Sequence, residues 1–346
     1  MSITVKISLA LPVYNGANYI REALESIIAQ GDCLLEIVVS DNCSTDETPM
    51  IVKEFMARDS RVRLERSEVF LTIADNMSRA IRLCRNEWVQ LFCHDDLMRP
   101  GTIEALHKIL IAVKDTDCGL VGHQACHVFS DGHTYRHVNG HGLVETREQL
   151  MSSKVESNPV FEFSAPDVKL RRALKTGQIP NLPAVTTAAV KRTAFEKLGG
   201  FDSRWVHFDV FYWIYLIREF GYVEVPAQWT LTRVHSQQTF VLSRKNQRSY
   251  RDFRDFYKEF LTKWSHHYQI SPISYLKIRL KSTSQASAPL VMAVYKKRVG
   301  DFFSHLISLP VWMWPAVLFL TCVNAIKLWK KNRELWKQVS PSITFE

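Results

Sequence analysis

Apolar positions recur with two different periods along the first third of the chain. Residues 5–13, mostly apolar and ending at Pro12, read as a buried strand. Ile20, Ala23, Leu24, Ile27 and Ile28 then recur on one face at helical spacing. Residues 36–40 read as a second short strand. Ser44, Thr45, Asp46 and Glu47 have the order of a capping box, predicting a helix with Ile51, Val52, Phe55 and Met56 turned inward. Residues 74–85 repeat the helical period, with Met77, Ala80, Ile81 and Cys84 on one face. Residues 88–93 predict the next strand, and Pro100 opens a helix carrying Ile103, Leu106, Leu110 and Val113. Strands alternating with helices over residues 1–115 predict an α/β fold built on a mostly parallel, Rossmann-like sheet.

The pattern changes after that. Residues 118–138 predict a hairpin turning at Asp131-Gly132. Residues 140–182 are polar and irregular with helical pieces. Residues 183–205 predict a strand, a short helix and a Gly-Gly turn. Residues 208–220 are apolar almost all round, as in a core helix. Residues 272–300 alternate apolar and basic positions, and 302–326 are strongly apolar. This divides the chain into a domain at 1–240, with halves at 1–115 and 116–240, and a helical C-terminal extension at 241–346.

Composition narrows the function classes. Of 346 residues, 46% are hydrophobic and 23% charged, which excludes global disorder. The net charge of +9 favours anionic partners, among which charge alone does not choose. The seven cysteines are odd in number and match no zinc ribbon or disulfide framework, so free thiols in a reducing compartment are expected. The N-terminus runs directly into a strand, with no basic-then-apolar signal segment. Five histidines crowd residues 123–141, but alternating strand geometry does not line them up, so no zinc site is expected there.

Two acidic clusters stand where strands end: Asp41, and the pair Asp95–Asp96. A carboxylate beside a buried strand is costly unless charge or hydrogen bonds meet it. Open α/β sheets bind ligands beyond the carboxyl ends of their strands. The two clusters therefore suggest one site for a nucleotide and a hard metal ion.

LPVYN (11–15), VSDNCSTDET (39–48), FCHDD (92–96), GGFD (199–202) and DVFYW (209–213), in this order, resemble family 2 glycosyltransferases of the GT-A fold. The resemblance spans residues 5–235. It implies an inverting transferase that binds a nucleotide sugar with Mg²⁺ or Mn²⁺. By position, Pro12, Tyr14 and Asn15 would meet the nucleobase, with the flat Tyr14 ring suited to stacking, and Asp41 would accept the base N–H. Asn42 and Cys43 stand where the family has Asp and Gly, and Asp46 matches the motif's last Asp. Asp95 matches the acid that reaches the metal, while Cys93 replaces the first acid of that motif. Asp96 and Arg233 are supporting candidates, and His235 is a candidate metal ligand. Asp209 matches the general base and opens its helix, where the dipole favours the ionised form. Phe208 replaces the neighbouring Glu, making the pocket more apolar and pushing the Asp209 pKa upward.

Residues 302–326 are long enough for a bilayer core of about 30 Å. Pro310 and Pro315 interrupt them, and both flanks are basic. With both ends drawn to the cytosol, a re-entrant or interfacial pair of helices is expected, on the cytoplasmic face of the plasma membrane against an anionic surface. The expected partners are a nucleotide-sugar donor and a lipid-linked saccharide acceptor of surface-polysaccharide or O-antigen assembly. No nucleic acid is expected, and an oligomer remains compatible. Two rivals are a sugar-phosphate nucleotidyltransferase, disfavoured by Pro-Val-Tyr-Asn-Gly at 12–16, and a non-catalytic scaffold subunit.

Overall fold

The computed structural model describes residues 5–128, 133–138, 141–234, 248–275, 277 and 278. The chain forms two compact units. One comprises Met1–Ala173 with Pro180–Leu242, the other Leu174–Ile179 with Ser243–Glu346.

The first unit is built on one mixed sheet. Strand β1 (Ile7–Val13) is buried at every position. A strand covered on both faces is apolar throughout rather than alternating. Strands β2 (Leu34–Asp41), β3 (Val62–Arg66) and β4 (Trp88–Leu91) join it in parallel, in the spatial order β3-β2-β1-β4. Helices α1 (Ile20–Ile28), α2 (Thr48–Arg58) and α3 (Ile73–Leu83) link these strands. The chain lays β2 and β3 on one side of β1 and then crosses to lay β4 on the other. That reversal opens a crevice at the carboxyl ends of β1 and β4.

Pro12 fits inside β1 for a specific reason. The Ala10 carbonyl accepts the Phe92 N–H from the β4 side. Pro12 has the same strand parity as Ala10, so its missing N–H faces past the end of β4, where no ladder bond is lost.

The second half adds β5 (Leu97–Met98), β6 (Cys118–Val128), β7 (His133–Val138), β8 (His141–Thr146), β9 (Glu162–Ser164), β10 (Ala188–Lys191) and β11 (Gly221–Arg233). Strand β10 runs antiparallel between β4 and β6, and β11 runs parallel to β6. The β6–β7 hairpin forms as predicted, with its Asp131-Gly132 turn outside the described residues. Helices α4 (Thr102–Ala112), α5 (Arg147–Ser152), α6 (Val168–Lys175), α7 (Arg192–Lys197) and α8 (Phe208–Glu219) complete the layers. Phe201, just past the Gly199–Gly200 turn, packs 5.0 Å from Phe195 and from Phe208, and so seats the start of α8.

Three expectations are corrected. The capping box does not form: α2 starts at Thr48 with no side-chain cap, because Ser44 Oγ instead accepts the Asn15 N–H at 2.9 Å. Asp46 likewise accepts the N–H groups of Ala17 and Thr48, each at 3.0 Å, and so ties the loop after β1 to the start of α2. Met56 is exposed, since Ile51, Val52 and Phe55 already fill the buried stripe of α2. Strand β3, absent from the apolar pattern, is half-buried, and its Arg63 pairs with Glu36 and Glu65.

In the second unit, α9 (Arg248–Trp264) buries Phe256, Tyr257, Phe260 and Leu261 at helical spacing. The apolar run 302–326 and its basic flanks lie outside the described residues. No helix among the described residues is long and apolar enough to cross a membrane.

Candidate active site

Three loops meet at the crevice: residues 14–17 after β1, 42–47 after β2, and 92–96 after β4. Hydrogen bonds between distant parts of the sequence lock the first two together. Asn15 adopts φ 47° and its side-chain oxygen accepts the Thr45 N–H at 2.9 Å, while the Gly16 N–H donates to Thr48 Oγ1 at 2.8 Å. Asn is among the residues that tolerate this left-handed backbone.

Cys43 adopts φ 63° in the same loop. A left-handed residue bearing a Cβ costs about 1–2 kcal/mol relative to the right-handed form. Its Sγ lies 3.2 Å from the Ser67 carbonyl, a weak compensation. Cys43→Gly is therefore expected to raise thermal stability by about 0.5–1 kcal/mol, the relief being reduced by glycine's larger unfolded-state entropy. Chemical denaturation of the two proteins checks this; a loss of stability would show that the Sγ contact outweighs the backbone term.

Gly16 permits the closest approach in the site. A Cβ there would stand 2.5 Å from His94 Cδ2 and 2.6 Å from Val13 Cγ2. The His94 ring thus lies on the loop after β1 and brings the loop after β4 against it. Gly16→Ala is expected to cost about 1–3 kcal/mol through overpacking and to displace His94, measurable as a lower melting temperature with weakened nucleotide binding.

The candidate base-contacting residues fall on one side of the crevice. Tyr14 is 45% exposed and meets the Phe70 ring edge-on at 4.9 Å. Asp41 is fully buried: Arg66 Nε donates to its Oδ2 at 2.8 Å and the Ser44 N–H to its Oδ1 at 3.0 Å. The half-exposed Arg66 thus covers the carboxylate that the family resemblance matches to the base N–H. A nucleobase would reach Asp41 only as Arg66 moves, or would meet Arg66 itself.

The other side holds the donor cluster. Cys93 Sγ and the carboxylate oxygens of Asp95 and Asp96 lie within 4.8 Å of one another. They are the one group of metal-donor side chains among the described residues. Asp96 is buried, and burial with the adjacent Asp95 charge pushes its carboxyl well above the usual range. It accepts the Arg233 N–H at 3.2 Å. Burial pushes the Cys93 thiol well up, and the charges of Asp96, Asp95 and Asp209 add to this.

Strand β11 carries Arg233 into the site. Its Nη1 donates to the Asp95 carbonyl at 2.8 Å, Nη2 pairs with Glu22, and the guanidinium stands 5.3 Å from the centre of the Tyr19 ring. Arg233 therefore holds the backbone of the acidic loop, a role the sequence did not reveal. His235 lies outside the described residues. His123 packs beside Trp229, and burial lowers its imidazole to about 4, keeping it neutral in the core.

Asp209 stands in the first turn of α8. Its Oδ2 accepts the Val185 N–H at 3.0 Å. Burial raises its pKa, while the N–H groups of Val210 and Val185 oppose that rise. The very next residue, Thr186, accepts the Cys93 N–H through Oγ1 at 3.4 Å. Val185 and Thr186 thus tie the Asp209 carboxylate to the donor loop. Nothing in the sequence marks them, because these bonds span 24 and 93 positions. Asp202 accepts the Arg204 N–H and fixes its own turn, as expected.

A family model described as glycosyl transferase family 2 matches residues 8–199, more than half of the chain. The chain belongs to glycosyl transferase family 2. Among relatives of this family 2 protein, glycosyltransferase GlyG of Streptococcus pneumoniae serotype 4 is 31% identical over 134 residues, covering 39% of this chain and 44% of GlyG. The succinoglycan biosynthesis protein ExoO of Rhizobium meliloti is 26% identical over 217 residues, covering 56% of this chain and 59% of ExoO. This chain spans less than two thirds of either relative. Residues 1–349 of S. aureus TarS share the fold with a TM-score of 0.54 at 16% identity, covering 98% of this chain and 93% of that one. The mannosyltransferase PcManGT of Pyrobaculum calidifontis, solved with GDP-Man and Mn²⁺, does so with a TM-score of 0.51 at 16% identity, covering 94% and 88%. The α/β architecture of this family 2 chain is thus the GT-A fold that these two structures share.

Proposed function

We propose that this family 2 chain transfers a sugar from a nucleoside-diphosphate sugar to an acceptor hydroxyl, with inversion at the anomeric carbon. The observation that carries the reading is the pair Val185–Thr186, which binds the Asp209 carboxylate and the Cys93–Asp96 loop from adjacent residues. One short segment thereby ties a proton acceptor to a group suited to a diphosphate and its counter-ion. Such fixed juxtaposition is what positional catalysis requires.

Asp209 would take the acceptor hydroxyl proton as the oxygen attacks the anomeric carbon. The bond to the diphosphate breaks on the opposite face, and the nucleoside diphosphate leaves with the electron pair. One displacement inverts the centre, and no second carboxylate is needed as nucleophile. Tyr14 offers a stacking face for the base. Asp95, with Cys93 and Asp96 beside it, has the donor chemistry to hold Mg²⁺ or Mn²⁺, which when bound supplies Lewis-acid neutralisation of the leaving diphosphate.

We assign the acceptor to a lipid-linked saccharide in surface-polysaccharide assembly, on the cytoplasmic face of the plasma membrane. The net charge of +9 and the apolar run 302–326 between basic flanks support this. Full-length protein is expected to float with anionic liposomes, and failure to do so would remove the membrane assignment. For the reaction, the full chain is incubated with UDP-, GDP- and dTDP-sugars and a lipid-linked acceptor fraction. Inversion predicts a product linkage of opposite anomeric configuration to the donor, read by NMR. Retained configuration, or no donor consumed by folded protein, would overturn the reading.

A further inference from the structure

We propose that Cys93 is a direct thiolate ligand of the bound divalent ion, giving this transferase a mixed sulfur–oxygen metal site selective for borderline and soft ions over Mg²⁺. The proposal rests on the donor-site reading above and deepens it. Its basis is geometric. The Cys93 sulfur and the two carboxylate groups lie within 4.8 Å of one another. Donors bound at about 2.0–2.5 Å to a single ion stand no farther apart than roughly 5 Å. All three therefore fit around one cation with no large rearrangement.

The scaffold keeps the sulfur in place. The Cys93 N–H is anchored on Thr186 Oγ1 at 3.4 Å, and the Asp96 N–H returns to the Cys93 carbonyl at 3.2 Å. This turn keeps the donor atoms of residues 93, 95 and 96 within 4.8 Å of one another. Arg233 fastens it through the Asp95 carbonyl at 2.8 Å.

Sulfur at this position changes ion choice. Thiolates favour soft and borderline ions, whereas Mg²⁺ is bound by oxygen and gives up its water reluctantly. A thiol must lose its proton to ligate, so binding releases one proton to solvent per Cys93–metal bond formed. The site should therefore rank Co²⁺, Zn²⁺, Cd²⁺ and Mn²⁺ above Mg²⁺.

The test is a Co²⁺ titration of the full chain in the presence of UDP or GDP, followed by near-ultraviolet absorption and by calorimetry. The expected result is a sulfur-to-cobalt charge-transfer band that is absent in Cys93→Ser and in Asp95→Ala. Calorimetry of Cys93→Ser should still show Co²⁺ binding, weakened on the order of tenfold or more, at least the size of an outer-shell effect. Cys93→Asp should bind without the band and with a raised preference for Mg²⁺ over Co²⁺. Asp95-dependent binding heat with no band in the wild-type protein would overturn sulfur ligation and leave the metal-assisted reading intact. A band that persists in Cys93→Ser would assign the sulfur to another cysteine and overturn the proposal. No binding heat for any ion would defeat the metal-assisted reading, and Cys93 ligation with it.

Discussion

Asp209→Asn is expected to lower kcat for sugar transfer by about 10²–10⁴-fold, the range that a positioned general base contributes. Donor binding should be unchanged, because the amide oxygen of Asn still accepts the Val185 N–H seen at 3.0 Å. The pH profile gives a second readout. Asp209 acts only when ionised, and burial raises its pKa. The acid limb of kcat/KM should therefore lie above that of an exposed aspartate, near pH ~4, with activity lost as the pH falls through the raised value. The stability effect has the opposite sense. An acid whose pKa is higher in the folded state binds its proton more tightly there, so stability declines as pH rises from the unfolded to the folded pKa. Asp209→Asn should therefore be at least as stable as the parent at neutral pH. A variant that melts no earlier and binds donor, yet does not turn over, identifies the base. Wild-type turnover would exclude it, and a parent with no turnover at all would favour the scaffold reading that Cys93 and Phe208 invite.

Asp95→Ala is expected to abolish metal-dependent donor binding. A ligand at a hundred times its Kd adds about 2.7 kcal/mol to stability when it binds only the folded state. A sugar nucleotide with Mn²⁺ should stabilise the parent by an amount of this order, and EDTA or Asp95→Ala should remove the effect. The base that gives the shift also identifies the nucleotide. Asp96→Ala should behave differently. Asp96 is buried and accepts the Arg233 N–H, so its loss removes that hydrogen bond and costs about 1–3 kcal/mol even without ligand. A donor shift that survives Asp95→Ala would place the metal-binding function elsewhere.

The strands and helices of the first half were legible because burial imposes simple periods on them. Strand β1 is covered on both faces, so seven consecutive buried residues read as one run. Helix α8 is legible for the same reason, since its buried residues surround the axis. Strand β3 was hidden because VRLER is half-buried, with Arg63 paired to Glu36 and Arg66 to Asp41, both far away in sequence. Strand β8 was hidden in a polar segment whose partner, β7, is supplied by the topology. The capping box misled for a related reason: Ser44 and Asp46 had remote N–H groups to satisfy.

For the site, acids at strand ends marked Asp41, Asp95 and Asp96, and the order of the motifs that resemble the family added Tyr14 and Asp209 as candidates. The sequence by itself thus determined the sheet's parallel core, the family and the chemical inventory. Only the tertiary structure decided how those groups are held. It placed Arg66 over Asp41, His94 on Gly16, Arg233 on the Asp95 carbonyl, and Val185–Thr186 between Asp209 and the Cys93–Asp96 loop. Periodicity records which face of an element leaves water. It does not record which distant backbone N–H or guanidinium satisfies a buried carboxylate, and that is settled when the sheet brings those strands side by side.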